Sequence, residues 1–241
     1  MPEIDPALFD AAAIPEFYGP GPVGTHLPLY AARLELWKYS LSWIDDHTRH
    51  WCEFGVGEGE TFDWFASRKP RGNRLFGFDS FAGIPEAWAS YPAGQWQAPP
   101  YVPNRPDLTI VQGKFEDSLT PDVVARIGPI GLLHIDCDLY SSTKVVFDRI
   151  GDLIVPGTVI IFDEMYHYVG WEAHEARAFM ELMVAERLEV EYLARTPTCQ
   201  VSLRISSRGY RAGSSVRACT WSPTGPGVAI RDQRQRDHEQ S

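Results

Sequence analysis

In the stretch LLHIDCDLYSST, residues 132–143, two aspartates, Asp136 and Asp138, come directly after an apolar run and just before a Ser-Ser-Thr cluster. A second acidic pair, Asp163 and Glu164, closes another apolar run, TVIIFDE. If both runs are buried strands of an open α/β sheet, these acids stand at strand ends, where such sheets keep their ligand crevice. Neighbouring strand ends bring Asp136, Asp163 and Glu164 to one point. Three carboxylates crowded together without a cation repel and raise one another's pKa. A hard divalent cation such as Mg²⁺ removes that penalty, because it takes oxygen ligands and keeps waters that a substrate hydroxyl can replace. Asp138 reads instead as a loop and helix-entry residue near Ser141, since acids stabilise helix N-termini.

A different chemistry lies upstream. EFGVGEGETFDWFA (53–66) puts Glu53, Gly55, Gly57 and Gly59 between a strand-like run and a helix-like one. Glycines at such a turn accept positive φ and let the backbone approach a ligand, although a tight turn without a ligand uses them too. The spacing is G-x-G-x-G and not the G-x-G-x-x-G of dinucleotide binding, which disfavours a nicotinamide cofactor. The next run ends at Asp79 in FGFDSF, followed by Ser80. A carboxylate there can accept ribose hydroxyls of a nucleoside, or cap the turn that follows.

Histidines compete for the role of base. His167 and His174, in EMYHYVGWEAHEAR, follow the acidic pair and could flank an acceptor. HEARA lacks the second histidine of H-E-x-x-H, so zinc hydrolysis is unsupported. His134 lies inside an apolar run and reads as a core residue. The Trp-, Tyr- and Pro-rich segment 86–106 is too long for a bare connection, and reads equally as a lid over the acceptor or as cover for the sheet edge.

The elements that must position these residues follow from periodicity. Residues 29–47 carry Leu29, Leu34, Leu36, Trp37, Leu41 and Trp43 at near-helical spacing. Strand-like runs at 50–55, 74–79, 108–113, 131–136 and 158–163 then alternate with helix-like stretches near 60–68, 121–127, 142–153 and 172–187, a pattern that implies βαβ units and a parallel sheet. Runs at 188–194 and 200–205 are separated by only RTPTC, too short for a crossover helix, so they pair as a hairpin. The expectation is an α/β fold: a doubly wound, seven-stranded, mostly parallel sheet with a C-terminal antiparallel hairpin.

Composition narrows the partners. In 241 residues, 44% hydrophobic, there is enough for one large core. A net charge of -10 argues against binding nucleic acid, whose affinity rests on a basic face. Four cysteines without a C-x-x-C pair indicate a reducing compartment, hence the cytoplasm. No export signal and no membrane span are expected, and a homo-oligomer is compatible with the pattern. Residues 206–241, rich in Gly, Ser, Pro and Arg, read as a disordered tail.

Five blocks, EFGVGEGETFDWFA, FGFDSFAGIPEAW, VQGKFEDSL, LLHIDCDLYSSTKVVFDRI and GTVIIFDEMYHYVGWEAHEARAF, resemble in order and spacing the macrocin O-methyltransferase family of S-adenosylmethionine-dependent enzymes, over residues 50–205. The resemblance implies a Rossmann-like methyltransferase domain at 50–205, with residues 1–49 as a helical and loop segment covering the site. It implies that Glu53 and the Gly55/Gly57 turn hold the methionine end of the cofactor, that Asp79 with Ser80 takes the ribose, and that Phe115, Glu116 and Asp117 lie at the adenine. Asp136 is the implied ligand and base at the methyl-transfer point, with Asp163 and Glu164 completing a Mg²⁺ site. The family often has Asp-Asp where this chain has Asp163-Glu164, which makes Glu164 the departure. Thr25 could also reach the cofactor, or be an ordinary loop residue. The implied activity is O-methylation of a hydroxyl on a sugar or glycosylated small molecule, in secondary-metabolite or glycan biosynthesis. A phenolic acceptor and a non-catalytic nucleotide-binding subunit are the alternatives.

Overall fold

The computed structural model describes residues 27–209. Thr25 and residues 210–241 lie outside them. Seven strands form where the apolar runs stand: His50–Phe54 (β1), Leu75–Asp79 (β2), Leu108–Gln112 (β3), Ile130–Ile135 (β4), Val159–Phe162 (β5), Leu188–Arg195 (β6) and Val201–Arg208 (β7). Among the described residues six α-helices accompany them: Arg33–Leu41 (α1), Glu60–Ala66 (α2), Phe115–Ser118 (α3), Pro121–Ile127 (α4), Tyr140–Ile150 (α5) and Glu175–Glu186 (α6).

The strands make one sheet in the order β3-β2-β1-β4-β5-β7-β6. The first five run parallel, while β7 is antiparallel to both β5 and β6. The chain builds outward from β1 to β3 and then returns to the far side of β1. Strand order therefore reverses between β1 and β4, which opens a crevice at their carboxyl ends. This is the Rossmann-like α/β fold of class I methyltransferases, with the expected antiparallel C-terminal strands.

Alternating side chains supply both faces. Cys52, Phe54, Ile135 and Phe162 pack with Val146 and Phe147 of α5 and Phe179 of α6. Trp51, Leu132, Val159 and Ile161 pack with Leu36 and Trp37 of α1 and Phe62 and Phe65 of α2. Because both faces are covered, β4 is buried at all six positions and carries no polar alternation.

Three elements differ from the periodicity. The first helix is shorter than 29–47, because residues 28–30 are extended beside β6. The Arg195 N–H donates to the Pro28 carbonyl and the Tyr30 N–H to the Arg195 carbonyl, each at 3.0 Å. Residues 115–118 form a one-turn helix that four residues are too few to announce. Strand β7 continues through 206–208, because Arg208 donates to the carbonyls of Gly151 and Ile154 and fastens the strand end. Among the described residues no helix is long and apolar enough to cross a membrane.

Candidate active site

The glycine turn and the end of β2 form one half of the site. Gly55 has φ +92° and Gly57 φ +51°. A Cβ at Gly55 would sit 1.9 Å from the Asp136 carbonyl oxygen, so the turn and the end of β4 can approach only through glycine. Asp79 locks this turn: its Oδ2 accepts the N–H groups of Val56 and Gly57, both at 2.8 Å, and its Oδ1 accepts that of Phe81 at 2.7 Å. A carboxylate offers about four acceptor sites, so Asp79 keeps capacity toward a ligand. Gly55, Gly57, Asp79, Ser80, Phe115 and Glu116 all line a single cavity of about 830 Å³.

Asp117 and Glu53 do not line that cavity. Glu53 is fully buried on the sheet face covered by α1 and α2, with its Oε1 3.1 Å from His134 Nδ1 on the adjacent strand. Burial raises the Glu53 pKa, and the His134 hydrogen bond only partly offsets this. For His134 burial pulls the other way, yet the Glu53 carboxylate prevails and the net shift is upward. His134 is thus a core residue with one nitrogen satisfied, while its Nε2 and the Glu53 Oε2 have no protein partner. Glu53 couples to the site through the charges of Asp163 and Asp79.

The other half is acidic. One carboxylate oxygen from each of Asp136, Asp138 and Glu164 lies within 4.8 Å of the others. Asp163 flanks this group. It is buried, its N–H donates to the Ile135 carbonyl at 3.0 Å, and its Oδ1 has no partner. The trio expected from the strand ends is therefore altered, with Asp138 joining Asp136 and Glu164. The cause is local backbone. Asp138 has φ +61°, and a 2.6 Å hydrogen bond from the Leu139 N–H to the Cys137 carbonyl closes a three-residue turn around it. Helix α5 is entered through Leu139 with no side-chain cap, so the helix-entry role read for Asp138 is not the one it plays.

Electrostatics follow from crowding. Burial, then Asp163, holds the Asp136 carboxyl well above the usual range. Burial, then Asp136, does the same to Glu164. Asp138 is pushed up to about 7 by burial and Asp163. Glu175, on α6, is pushed up to about 8 mainly by burial. None of Asp136, Asp138, Asp163, Glu164 and Glu175 forms a salt bridge among the described residues. Buried oxygens of Asp163, Glu164 and Glu175 also lack hydrogen-bond partners. An all-oxygen donor set with uncompensated charge fits a hard divalent cation.

Residues 81–98 wall the cavity through Ile84, Trp88, Gly94 and Trp96, so this part of the aromatic segment faces the site and not the sheet edge. The segment is ordered by its own backbone: Gly94 N–H to Ile84 carbonyl at 2.8 Å, and Trp88 and Tyr91 paired reciprocally. A Cβ at Gly83 would lie 2.3 Å from the Gln95 carbonyl, which closes the loop on glycine. Trp88 meets Tyr168 edge-on at 5.3 Å and His174 at 6.4 Å. Burial lowers the His174 pKa, and its Nδ1 is unpartnered. His167 does not join the site. It is exposed at φ +66° with Nδ1 3.4 Å from the Pro197 carbonyl, because the turn after Glu164 carries it outward. Sequence reasoning missed Trp88, Tyr168 and Glu175. Only Trp88 carried a signal, as an aromatic in an over-long connection.

Residues 52–165 match the model of a family described as a methyltransferase domain. Among curated protein sequences nothing matches this chain. Among solved structures it is similar to the calicheamicin methyltransferase CalS11, at 20% identity and TM-score 0.55 over 85% of this chain and 94% of that one. It is similar to the O-methyltransferase NovP at 19% identity and TM-score 0.53, over 72% of this chain and 78% of that one. An O-methyltransferase from Bacillus cereus, solved with SAH, matches at 18% identity and TM-score 0.50, over 86% of this chain and 93% of that one. Residues 52–165 thus resemble a methyltransferase domain, and the chain shares its Rossmann-like fold with solved O-methyltransferases.

Proposed function

We propose that the protein transfers a methyl group from S-adenosylmethionine to a hydroxyl of a sugar or glycosylated small molecule, assisted by a divalent cation such as Mg²⁺. One observation carries the reading: a glycine turn tied to a β2 aspartate and an uncompensated acidic group share one cavity. The sugar class is supported by the likeness to CalS11, which is described as a TDP-rhamnose 3'-O-methyltransferase. Residues 33–41 bring Arg33 to the cavity wall, in keeping with an N-terminal segment that covers the site.

In this reading the Gly55–Gly57 turn, Asp79 and Ser80 hold the methionine and ribose parts of the cofactor, and Phe115 and Glu116 the adenine. Asp136, Asp138 and Glu164 hold the cation, with Asp163 beside them. When bound, S-adenosylmethionine supplies an electrophilic methyl, and a divalent cation acidifies a coordinated hydroxyl. Asp136, at the cavity beside the acceptor's place, accepts the hydroxyl proton. Trp88 and Trp96 orient the acceptor and exclude water.

The test is a panel of neutral glycosides, nucleotide sugars and phenols scored by SAH release. Turnover of a glycoside or nucleotide sugar that EDTA stops and Mg²⁺ restores is expected. Turnover of phenols alone would replace the acceptor class. Full activity in EDTA would remove the cation and leave the acids as hydrogen-bonding anchors.

A further inference from the structure

Glu175 is a buried acid to which the chemistry above gives no task. It opens α6 and is fully excluded from solvent. Its Oε1 accepts two backbone N–H groups, from Cys137 at 2.9 Å and from Asp138 at 3.1 Å, reaching back across 37 and more residues of chain. Both N–H groups belong to the turn that aims Asp138.

That turn is strained. A non-glycine residue with positive φ sits in a sparsely populated region, and such a conformation persists only where its surroundings over-determine it. The Leu139-to-Cys137 hydrogen bond spans only three residues. Glu175 supplies a second restraint on the turn, and without Glu175 two N–H groups would be left without their acceptor. An acid here also adds a further titratable group to a cluster that is already crowded and carries no salt bridge among the described residues. Repulsion alone would therefore select a neutral residue here, and geometry is what Glu175 contributes.

We propose that Glu175 is a positioning residue: by accepting two backbone N–H groups it holds the strained turn that presents Asp138 to Asp136 and Glu164, and it does so as an acceptor and not through its charge. The proposal rests on the reading of the acidic group as the cation and acceptor end of the site. A glutamine in its place keeps the accepting oxygen and removes the charge, whereas an alanine removes both.

The experiment compares wild type with Glu175→Gln, Glu175→Ala and Asp138→Asn by three readouts. Amide hydrogen exchange over residues 136–140 reads the turn directly, without any metal. Glu175→Ala is expected to exchange about tenfold or more faster there, as expected when buried hydrogen bonds are lost, and Glu175→Gln about as wild type. Mn²⁺ affinity, by electron paramagnetic resonance, is expected to fall about tenfold in Glu175→Ala and in Asp138→Asn, with the double variant no worse than either, as residues acting through one another are non-additive. SAH affinity, the third readout, is expected to be unchanged in all of them, showing that the fold and the cofactor half survive. Unchanged exchange in Glu175→Ala overturns the proposal, and so does a Glu175→Gln variant as damaged as the alanine. A wild type that binds no Mn²⁺ while the exchange pattern holds would sink the cation reading and leave Glu175 as the holder of the turn.

Discussion

The two ends of the sheet treat charge in opposite ways. Beside the amino ends of β2 and β3, Lys69 is buried to 1% of its side chain, paired with Asp107, and donates to the Asn73 carbonyl at 2.6 Å. Arg105 grips the same Asp107 through two nitrogens, at 3.0 and 2.6 Å. The Arg105 hydrogen bonds, then those of Lys69, hold the Asp107 carboxyl well below the usual range. At the carboxyl ends of β4 and β5, Asp136, Asp138, Asp163 and Glu164 form no salt bridge among the described residues, and burial and mutual repulsion raise three of these carboxyls. Of these acids, Asp107 serves structure and is neutralised by the chain itself. Those left uncompensated, at a cost to stability, mark where something else must bring the charge.

The sharpest way to break that contrast is the same substitution at both ends. Asp136→Asn preserves volume and removes one repelling charge. Methyl transfer is expected to fall about 10³-fold, within the range for a positioned acid–base group, while the melting temperature does not fall. Single-turnover kinetics and calorimetry measure the two. Activity within tenfold of wild type would move the base elsewhere, with His174, which meets Trp88 edge-on, the next residue to test.

Asp107→Asn is expected to do the reverse, lowering stability by about 2–3 kcal/mol with cofactor affinity unchanged, because a buried ammonium loses its counter-charge but keeps the Asn73 carbonyl. Urea unfolding reads this. The pH dependence separates the ends further. Asp107 has a depressed folded pKa, so its contribution is complete above the unfolded value of about 4 and is lost as pH falls toward the folded one. Asp138 and Glu175 have raised folded values, about 7 and about 8. The native state then binds more protons than the unfolded one between about pH 4 and those values, and stability falls as pH rises through that window. Metal-free protein should therefore melt lower at pH 8 than at pH 6, and Mg²⁺ should recover the difference at pH 8. A flat profile would mean the acids are better solvated than their burial implies.

How much of this was legible in the sequence depends on what sets each side chain's direction. The glycine turn, Asp79, Asp136 and the 163–164 pair were readable because strand ends are announced by apolar runs, and parallel order puts those ends side by side. Asp138 was not, because beyond the strand a single positive φ decides where its carboxylate points, and Glu175, which holds that turn, lies 37 residues on. His167 was over-read for the same reason: closeness in sequence to Glu164 says nothing of direction once the chain turns at φ +66°. Glu53 was placed at the cofactor by the family resemblance; in the structure strand alternation sends its side chain to the α1–α2 face, against His134.

The smallest expected effect lies at the rim and sharpens the contrast from its other side. Ser141, in the first turn of α5, donates to the Glu86 carboxylate at an exposed position. That bond ties the aromatic wall to the element that begins just after Asp138, so it links the acceptor's covering to the acidic group without belonging to either. Exposed hydrogen bonds contribute little, about 0.5–1.5 kcal/mol, and the wall keeps its own backbone bonds. Ser141→Ala should leave stability, SAH affinity and kcat near wild type and raise the acceptor KM about threefold, since a looser wall weakens ground-state and transition-state binding alike. Steady-state kinetics with the best acceptor from the panel decide it. A kcat loss with unchanged KM would instead place Ser141 in the chemistry, and the wall would then be part of the catalytic group and not its cover.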